Sequence, residues 1–488
     1  LLLAILSLGT LQYLFSFSST RATFHTVPAI VFPPSSFHPA PYPDPPHEVE
    51  AEGKKGQDWW HWDTPTKFGA VKSTDSGDVG CDTFPTELLG KIQVVLQVGG
   101  HGDNGNWTDA QLKSVVRCID NVLVLGDGNS TYGDSKHQTV DVLAGLPAET
   151  YLQKEDYAIY TREASKRGSD AAKLDKYKFL PSVEHAVAER PEAEWFVFIQ
   201  PTTYMFWDNA FRLLENYDHR IPYFFGSPSP GLNLPKSNPT DEEIWYAPSG
   251  PGYILSHEAA HRLADRQKNG VGVTGPRLSH EYKSSLLSSP EVIGDAILAF
   301  ALHDKADVDL SGLWPMFTAH DLAGIPFRHN KAYWCEPVLS LSATPPSEMQ
   351  KLWQWEMKRD RSKRPLLYAD LIEITDLGRI WTREDWDATE GVDAYTPPES
   401  TGAHTNLQGC EEACQEDDEC LQWTWHGGKC SMGRSTRLGH YKEPEGKFQG
   451  NESRFISGWD IDKIRRGKRR YKCEDGPHWV KPSVQRRE

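Results

Sequence analysis

Three stretches of this chain hold side chains whose types and spacing can do chemistry. His257-Glu-Ala-Ala-His261 places two imidazoles four residues apart with Glu258 between them. On a helix this H-E-x-x-H pattern turns both rings toward one zinc ion and leaves the glutamate as base. The extended form of the motif is absent because Ala264 stands in place of its glycine, so a third ligand would come from a downstream carboxylate such as Glu281. On that helix His257, His261, Asp265 and Lys268 form a polar stripe, and Ala260, Leu263 and Ala264 an apolar one. The imidazole pair is therefore expected to face solvent. Matches this short arise by chance, and a zinc metalloprotease is the remotest reading.

The second stretch is Cys410-x3-Cys414-x5-Cys420-x9-Cys430. Small cysteine-dense modules use disulfides to supplement a thin core. Zinc is the competing reading, but it favours Cys-x2–4-Cys pairs in a reducing compartment. The third stretch is Gln200-Pro-Thr-Thr-Tyr204, a loop of hydroxyls and an amide directly after an apolar run.

The elements that position these residues follow from periodicity. Trp195–Ile199 is continuously apolar with β-branched Val197 and Ile199, and Pro201 closes it. It reads as a buried strand, and ligands of open α/β sheets bind just beyond the carboxyl ends of such strands. Ile92–Val98 is a second strand closed by Gly99-Gly100, and Asn121–Gly128 a third, ending in Gly126-Asp127-Gly128. A helix is expected between them at 110–120, with Leu112, Val115, Val116 and Ile119 at helical spacing. Strand, helix, strand with polar loops is a βαβ signature. Further helices are expected at 177–190, 293–303 and 348–358, and short strands at 221–226 and 252–255.

Composition bounds the rest. The 488-residue chain is long enough for two or three domains, and its net charge of −16 with pI near 5.6 argues against a nucleic-acid protein. Leu1–Ser18 is apolar apart from Gln12 and a few hydroxyls, and no A-x-A-like cleavage site comes after it. An uncleaved signal anchor is expected there, at an N-terminus expected to be incomplete because the sequence starts at Leu1 rather than Met. Pro, Ser and Gly dominate residues 20–80, read as an extended stem, with Asp58-Trp-Trp-His-Trp-Asp63 as an aromatic knot able to dock on the globular domain C-terminal to it. Asn106, Asn129 and Asn451 head N-x-[ST] sequons. Anchor, sequons and clustered cysteines agree on the secretory pathway, where disulfides persist. Lys463–Lys472 holds seven basic residues and reads as a solvated basic face.

In order along the chain come Cys81-Asp-Thr-Phe-Pro, Ile92–Gly100, Asn121–Asp127, Leu174–Pro181, Glu194–Asn209, Gly250-Pro-Gly-Tyr-Ile-Leu-Ser256, Gly294-Asp295 and Trp334-Cys-Glu-Pro337. Together they resemble the fungal branch of glycosyltransferase family 31, which includes Fringe-type and core 1 galactosyltransferase-type enzymes. The cysteine cluster with Ser457–Ile464 resembles an Apple/PAN domain. The resemblance covers roughly residues 81–475. It implies an α/β, GT-A-like (Rossmann-like) domain and a small disulfide-rich module, in a type II Golgi membrane protein facing the lumen. The organisation expected is an anchor at 1–19, a stem at 20–80, the transferase domain at 81–387, a linker at 388–402, the module at 403–475 and a tail at 476–488.

The implied activity is inverting transfer of a hexose, galactose or N-acetylhexosamine, from a UDP-sugar to a glycan or glycoprotein acceptor, with β-1,3 linkage common. Asp295 matches the family's base. Asp127, Gly250, Gly252 and Tyr253 match nucleotide-side positions, and Lys176 and Lys178 fall in a matching segment. The family's Mn²⁺ motif, Asp/Glu-x-Asp-Thr-Tyr, is replaced by Gln200-Pro-Thr202-Thr-Tyr204, and the His found after its Trp-Cys-x-Pro strand is missing from Leu339–Thr344. Neutral oxygens hold a hard dication poorly, so metal is expected to be absent or weakly bound, and activity weak or lost. A non-catalytic relative that binds a glycan or a protein is the alternative. The disulfides expected are Cys81–Cys118, Cys410–Cys430, Cys414–Cys420 and, as the remainder, Cys335–Cys473. The four clustered cysteines allow three pairings, and the sequence does not choose among them.

Overall fold

The computed structural model describes residues 59–60, 81, 86–99, 106–132, 137–144, 146, 148, 151, 153–162, 167–231, 243–264, 293–329, 332–362, 364–389, 394–446 and 453–485. The anchor at 1–19, the stem apart from Trp59 and Trp60, and Asp265, Lys268, Glu281 and Asn451 lie outside these residues. Among the described residues no helix is long and apolar enough to cross a membrane.

A seven-stranded sheet organises the chain. Its strands are β1 (Ile92–Gln97), β2 (Val122–Gly126), β3 (Val140–Asp141), β4 (Trp195–Ile199), β6 (Phe224–Gly226), β7 (Tyr253–Ser256) and β8 (Leu310–Gly312), in the order β8-β6-β7-β4-β1-β2-β3. The short β5 (Tyr204–Met205) lies outside this sheet and pairs with β9 (Ser340–Leu341). The run β3-β2-β1-β4 is parallel, while β7 is antiparallel to both β4 and β6. The fold is thus mixed α/β with a mainly parallel core.

Both faces of the sheet are covered, which is why its central strands read as unbroken apolar runs. Side chains alternate across a strand. Val94, Leu96, Val197 and Ile199 enter one apolar cluster, with α3 (Trp207–Glu215) and α6 (Pro346–Lys358). Val95, Phe196 and Phe198 enter the other, against α2 (Phe179–Glu189), α4 (His257–Ala264) and α5 (Gly294–Ala301). Val197, Phe198 and Ile199 are fully buried, each a contribution of about 1.5–3 kcal/mol.

Three elements differ from expectation. The helix expected at 110–120 is α1, Asn106–Lys113. Beyond Lys113 the amides of Ser114, Arg117 and Ile119 reach back three residues, to Gln111, Ser114 and Val116, so the chain goes on as turns, and the Val115 carbonyl accepts the Trp207 indole N–H at 2.6 Å. The strand expected from 221 begins at Phe224, because Pro222 has no N–H to give a ladder. The helix expected at 293–303 opens with Ile293 as an exposed cap and gives way after Ala301 to a wider turn over Leu302–Ala306.

A second, antiparallel sheet has the order β10-β14-β12-β13-β11, from β10 (Thr382–Glu384), β11 (Ala394–Tyr395), β12 (Gln422–His426), β13 (Lys429–Gly433) and β14 (Ile456–Trp459). Residues 388–402, expected as a linker, contribute β11 to it. Beside it lie α7 (Tyr368–Thr375), α8 (Leu407–Glu416) and α9 (Ile461–Arg470). Four disulfides are present: Cys81–Cys118, Cys335–Cys473, Cys410–Cys430 and Cys414–Cys420. The knot at 58–63 is described only at Trp59–Trp60, which pairs with Trp479–Val480.

Candidate active site

The carboxyl ends of β1, β2 and β4 gather most of the candidate residues. β1 runs out through Val98 into Gly99, whose φ is +118°; a Cβ there would lie 2.7 Å from Lys178 Nζ and 3.0 Å from Asp127 Oδ1. Only glycine combines that backbone with that proximity. The main-chain oxygen of Asp127 accepts from Arg167 Nη1 at 2.5 Å, and its carboxylate lies 3.6 Å from the same nitrogen. Arg167 is buried and also donates to the Tyr160 carbonyl at 2.6 Å. The Tyr160 hydroxyl donates to Asp141, and burial and then the Asp141 charge push that phenol up to about 12. Lys178 Nζ donates to the Val98 carbonyl at 3.1 Å and lies 2.5 Å from Asp175. Lys176 is committed to Asp156 at 3.2 Å.

A second group hangs from the end of β4. Gln200 Nε2 donates to Ser249 Oγ at 2.9 Å, and the Ser249 amide donates to Asp295 Oδ2 at 2.9 Å. The Ala296 amide donates to Asp295 Oδ1 at 2.9 Å, so the carboxylate also caps the first turn of α5. Burial pushes the Asp295 carboxyl up, and these backbone donors pull it partly back. The Thr203 hydroxyl donates to the Gly250 carbonyl at 2.7 Å, and a Cβ on Gly250 would meet Ser342 Oγ at 2.6 Å. Gly252 has φ +81°, and a Cβ there would lie 2.9 Å from the Phe198 carbonyl oxygen. The two groups adjoin: a Cβ on Gly294 would stand 3.0 Å from the Lys176 Cα.

Asp127 and Lys178 therefore meet at one edge, and Gln200, Gly250, Gly252 and Asp295 at the adjacent one. Tyr204 joins neither. It is fully buried on the other face of the sheet, where its hydroxyl donates to Glu356 at 2.7 Å, near the Arg359–Asp208 pair. Tyr253 is also a core residue, stacked on Phe198 at 4.8 Å between ring centroids. Thr202 is half-buried, and its carbonyl accepts from the Thr344 amide at 2.9 Å. Asn106 and Asn129 are exposed. Sequence reading missed Arg167, Gln111 and Ser249. Gln111, buried on α1, donates to the carbonyls of Gln200 and Thr203. Ser249 directly precedes Gly250 and was within reach of the motif. Arg167 lies 40 residues from Asp127 with no local signal.

The donor set at Gln200–Tyr204 does not fit a divalent metal. Its side chains are an amide, hydroxyls and a phenol, all neutral oxygens that hold a hard dication poorly, and the Tyr204 phenol is turned away to Glu356 on the other face of the sheet. Among the described residues no group of three or more His, Cys, Asp or Glu side chains is placed to hold a metal ion.

The H-E-x-x-H pair lies on α4, but its expected solvent-facing stripe is corrected. Both rings are half-buried against the turn before β4, with His257 Nδ1–H donating to the Ala193 carbonyl and His261 Nε2–H to the Pro191 carbonyl, each at 2.9 Å. A carbonyl only accepts, so these two nitrogens carry hydrogen and leave His257 Nε2 and His261 Nδ1 as the nitrogens that could ligate; among the described residues no third ligand stands with them. Glu258 is paired with Arg262 at 2.8 Å.

Compared with known proteins, the chain matches no family model and no curated protein. Among solved structures it is similar to one titled "crystal structure of a glycosyltransferase involved in the glycosylation of the major capsid of PBCV-1", at 10% identity and a TM-score of 0.19, covering 55% of this chain and 99% of that one. A superposition that loose carries no argument about fold or chemistry.

Proposed function

We propose that the chain is an inverting glycosyltransferase that moves a hexose from a UDP-sugar to a glycan acceptor, slowly and without a divalent metal. The reading rests on the resemblance to glycosyltransferase family 31. The observation that supports it best is the convergence of Asp127, Lys178 and Arg167 at the carboxyl edge of the sheet beside the Gln200–Ser249–Asp295 chain of hydrogen bonds. In the reaction the acceptor oxygen attacks the anomeric carbon as the bond from that carbon to the diphosphate breaks. The bond's electron pair leaves with the diphosphate, and the acceptor proton passes to Asp295. Arg167 and Lys178 are the cations nearest the proposed diphosphate, and a lysine serves phosphate as a point charge. β-1,3 linkage, a luminal Golgi location and an N-terminal membrane anchor belong to the same proposal.

A second reading has its own observation. Lys176, Lys178 and Arg167 are all spent on internal carboxylates, which suits a relative that binds without catalysis. Titrating the purified chain with a panel of UDP-sugars, with and without Mn²⁺, separates the two. The proposal expects donor binding that Mn²⁺ does not change and that Arg167→Gln weakens roughly tenfold or more, as for one lost charge-assisted contact. Binding abolished by EDTA would overturn the metal-free reading. No nucleotide binding at all would leave the non-catalytic one.

A further inference from the structure

Among the described residues of this acidic chain, α9 and its flank concentrate basic side chains that the transferase chemistry does not use. α9 begins where the Asp460 side chain caps the Lys463 amide at 2.9 Å, and Ile461 and Ile464 bury its inner face. Lys463 turns back, and its Nζ donates to the carbonyls of Cys414 and Asp417 at the end of α8, at 2.7 and 2.8 Å. The other six cations, Arg465, Arg466, Lys468, Arg469, Arg470 and Lys472, are exposed. Arg465 and Arg469 stand one turn apart, as do Arg466 and Arg470, giving two rows with a rise of about 6 Å per step. Lys468 meets Glu373 at 3.4 Å, while exposed Asp462, Glu474 and Asp475 flank the two ends.

Two features border this surface. A cavity of about 280 Å³ lies between α7 and α9, with Lys468, Lys472, Tyr471 and Arg364 in its wall beside the carboxylates of Glu373 and of Asp370, which pairs with Arg364 at 2.6 Å. On the other side the Trp381 carbonyl accepts from the Trp459 amide, just before α9, and Arg465 holds the Gly378 carbonyl at 2.9 Å. Trp381 is 59% exposed.

We infer that α9, Trp381 and this cavity form a binding site for an acidic oligosaccharide bearing sulfate or carboxylate groups. Guanidinium forks match such groups, and an exposed indole offers a flat apolar face to a sugar ring. Four disulfides place the surface in an oxidising compartment and so away from nucleic acid. α9 itself presents no exposed large apolar side chain, and the single indole of Trp381 beside it is less than the apolar face a helix needs to lie in a bilayer, which disfavours a membrane surface as the occupant. The site does not depend on the transferase reading and stands if that reading fails.

The test is calorimetric titration of the purified full chain with a heparin-derived octasaccharide, with its fully desulfated counterpart, and with vesicles of phosphatidylserine in phosphatidylcholine. The expected result is binding of the sulfated octasaccharide that falls steeply with salt, as counter-ion release requires. Combined R466Q, R469Q and K472Q substitutions should weaken it roughly tenfold or more and flatten the salt slope. Trp381→Ala should weaken it by a factor that salt does not change. Lys113→Gln with Lys358→Gln, on α1 and α6, should leave it intact. Equal binding of the desulfated sugar, an unaffected triple variant, binding to vesicles but not to octasaccharide, or no binding to either would each overturn the assignment.

Discussion

Asp295 shows how one buried carboxylate can serve structure and chemistry together. Its two oxygens fasten the Ser249 loop to the first turn of α5, and burial raises its ionisation above the ordinary aspartate range. A carboxyl with a raised folded value keeps its proton to higher pH than it does in the unfolded chain. The base form therefore grows as pH rises through the folded value, and over the same window ionisation subtracts from stability. If Asp295 is the base, kcat/KM should rise with pH along its acidic limb. Asp295→Asn should then lower turnover by about 10²–10⁴-fold while donor affinity holds, and the acidic limb should vanish. A variant that keeps its pH profile would remove Asp295 from the reaction. The histidines make the opposite case. His257 and His261 have zinc-site spacing, and each gives a ring N–H to a backbone carbonyl, a bond that a ligating ring also makes. Spacing names a possible ligand pair, but a site needs a third ligand, and among the described residues none stands with them.

At the scale of elements, the site depends on how closely α5 approaches the segment carrying the two lysines. Gly294 permits it: a Cβ there would run into the Phe179 ring and stand 3.0 Å from the Lys176 Cα. Gly294→Ala should destabilise the protein by roughly 1–3 kcal/mol through overpacking, read as a lowered midpoint in urea, and should weaken donor binding as Lys178 shifts. An unchanged midpoint would mean that α5 is free to move away. The long apolar strands β1, β2 and β4 were legible because burial on both faces writes itself into composition. The end of β4 was read as the place to look from topology alone, and the site there stands as a proposal. The pairing partners were not legible. The two-residue strands β3 and β11 carry no periodicity, and Arg167 reaches Asp127 only through the tertiary fold. Tyr204 misled because a two-residue strand turned it to the other face of the sheet, and one step of register reverses a side chain's side.

The whole molecule joins its two sheets through a polar and apolar seam. Trp459 and Ile464, from β14 and α9, enter the same apolar cluster as β1 and β4, and Phe327 and Thr436 exchange two backbone hydrogen bonds across it. At its polar end the exposed His440 meets Asp321 at 2.9 Å, with Glu348 of α6 nearby. Burial, and then the Asp321 charge, push the Glu348 carboxyl up to about 7 from an ordinary 4.5, against smaller lowering by His440 and Lys351. Below the unfolded value the group is protonated in both states and stability does not feel it. As pH rises from the unfolded to the folded value, the unfolded chain releases the proton first and stability falls. Above the folded value the full cost of a buried charge beside Asp321 remains. Glu348→Gln, which is neutral throughout, should therefore match the parent near pH 4 and exceed it at pH 8 by roughly 1–3 kcal/mol, the gap opening between those limits. Asp321→Asn in the parent should make that gap stop opening at a lower pH and leave it smaller at pH 8, because it removes the like charge that raises the folded value. Thermal melts of the three proteins from pH 4 to pH 8 measure both effects. A gap that stays constant with pH would show that Glu348 is solvated and that the seam opens more readily than its packing implies.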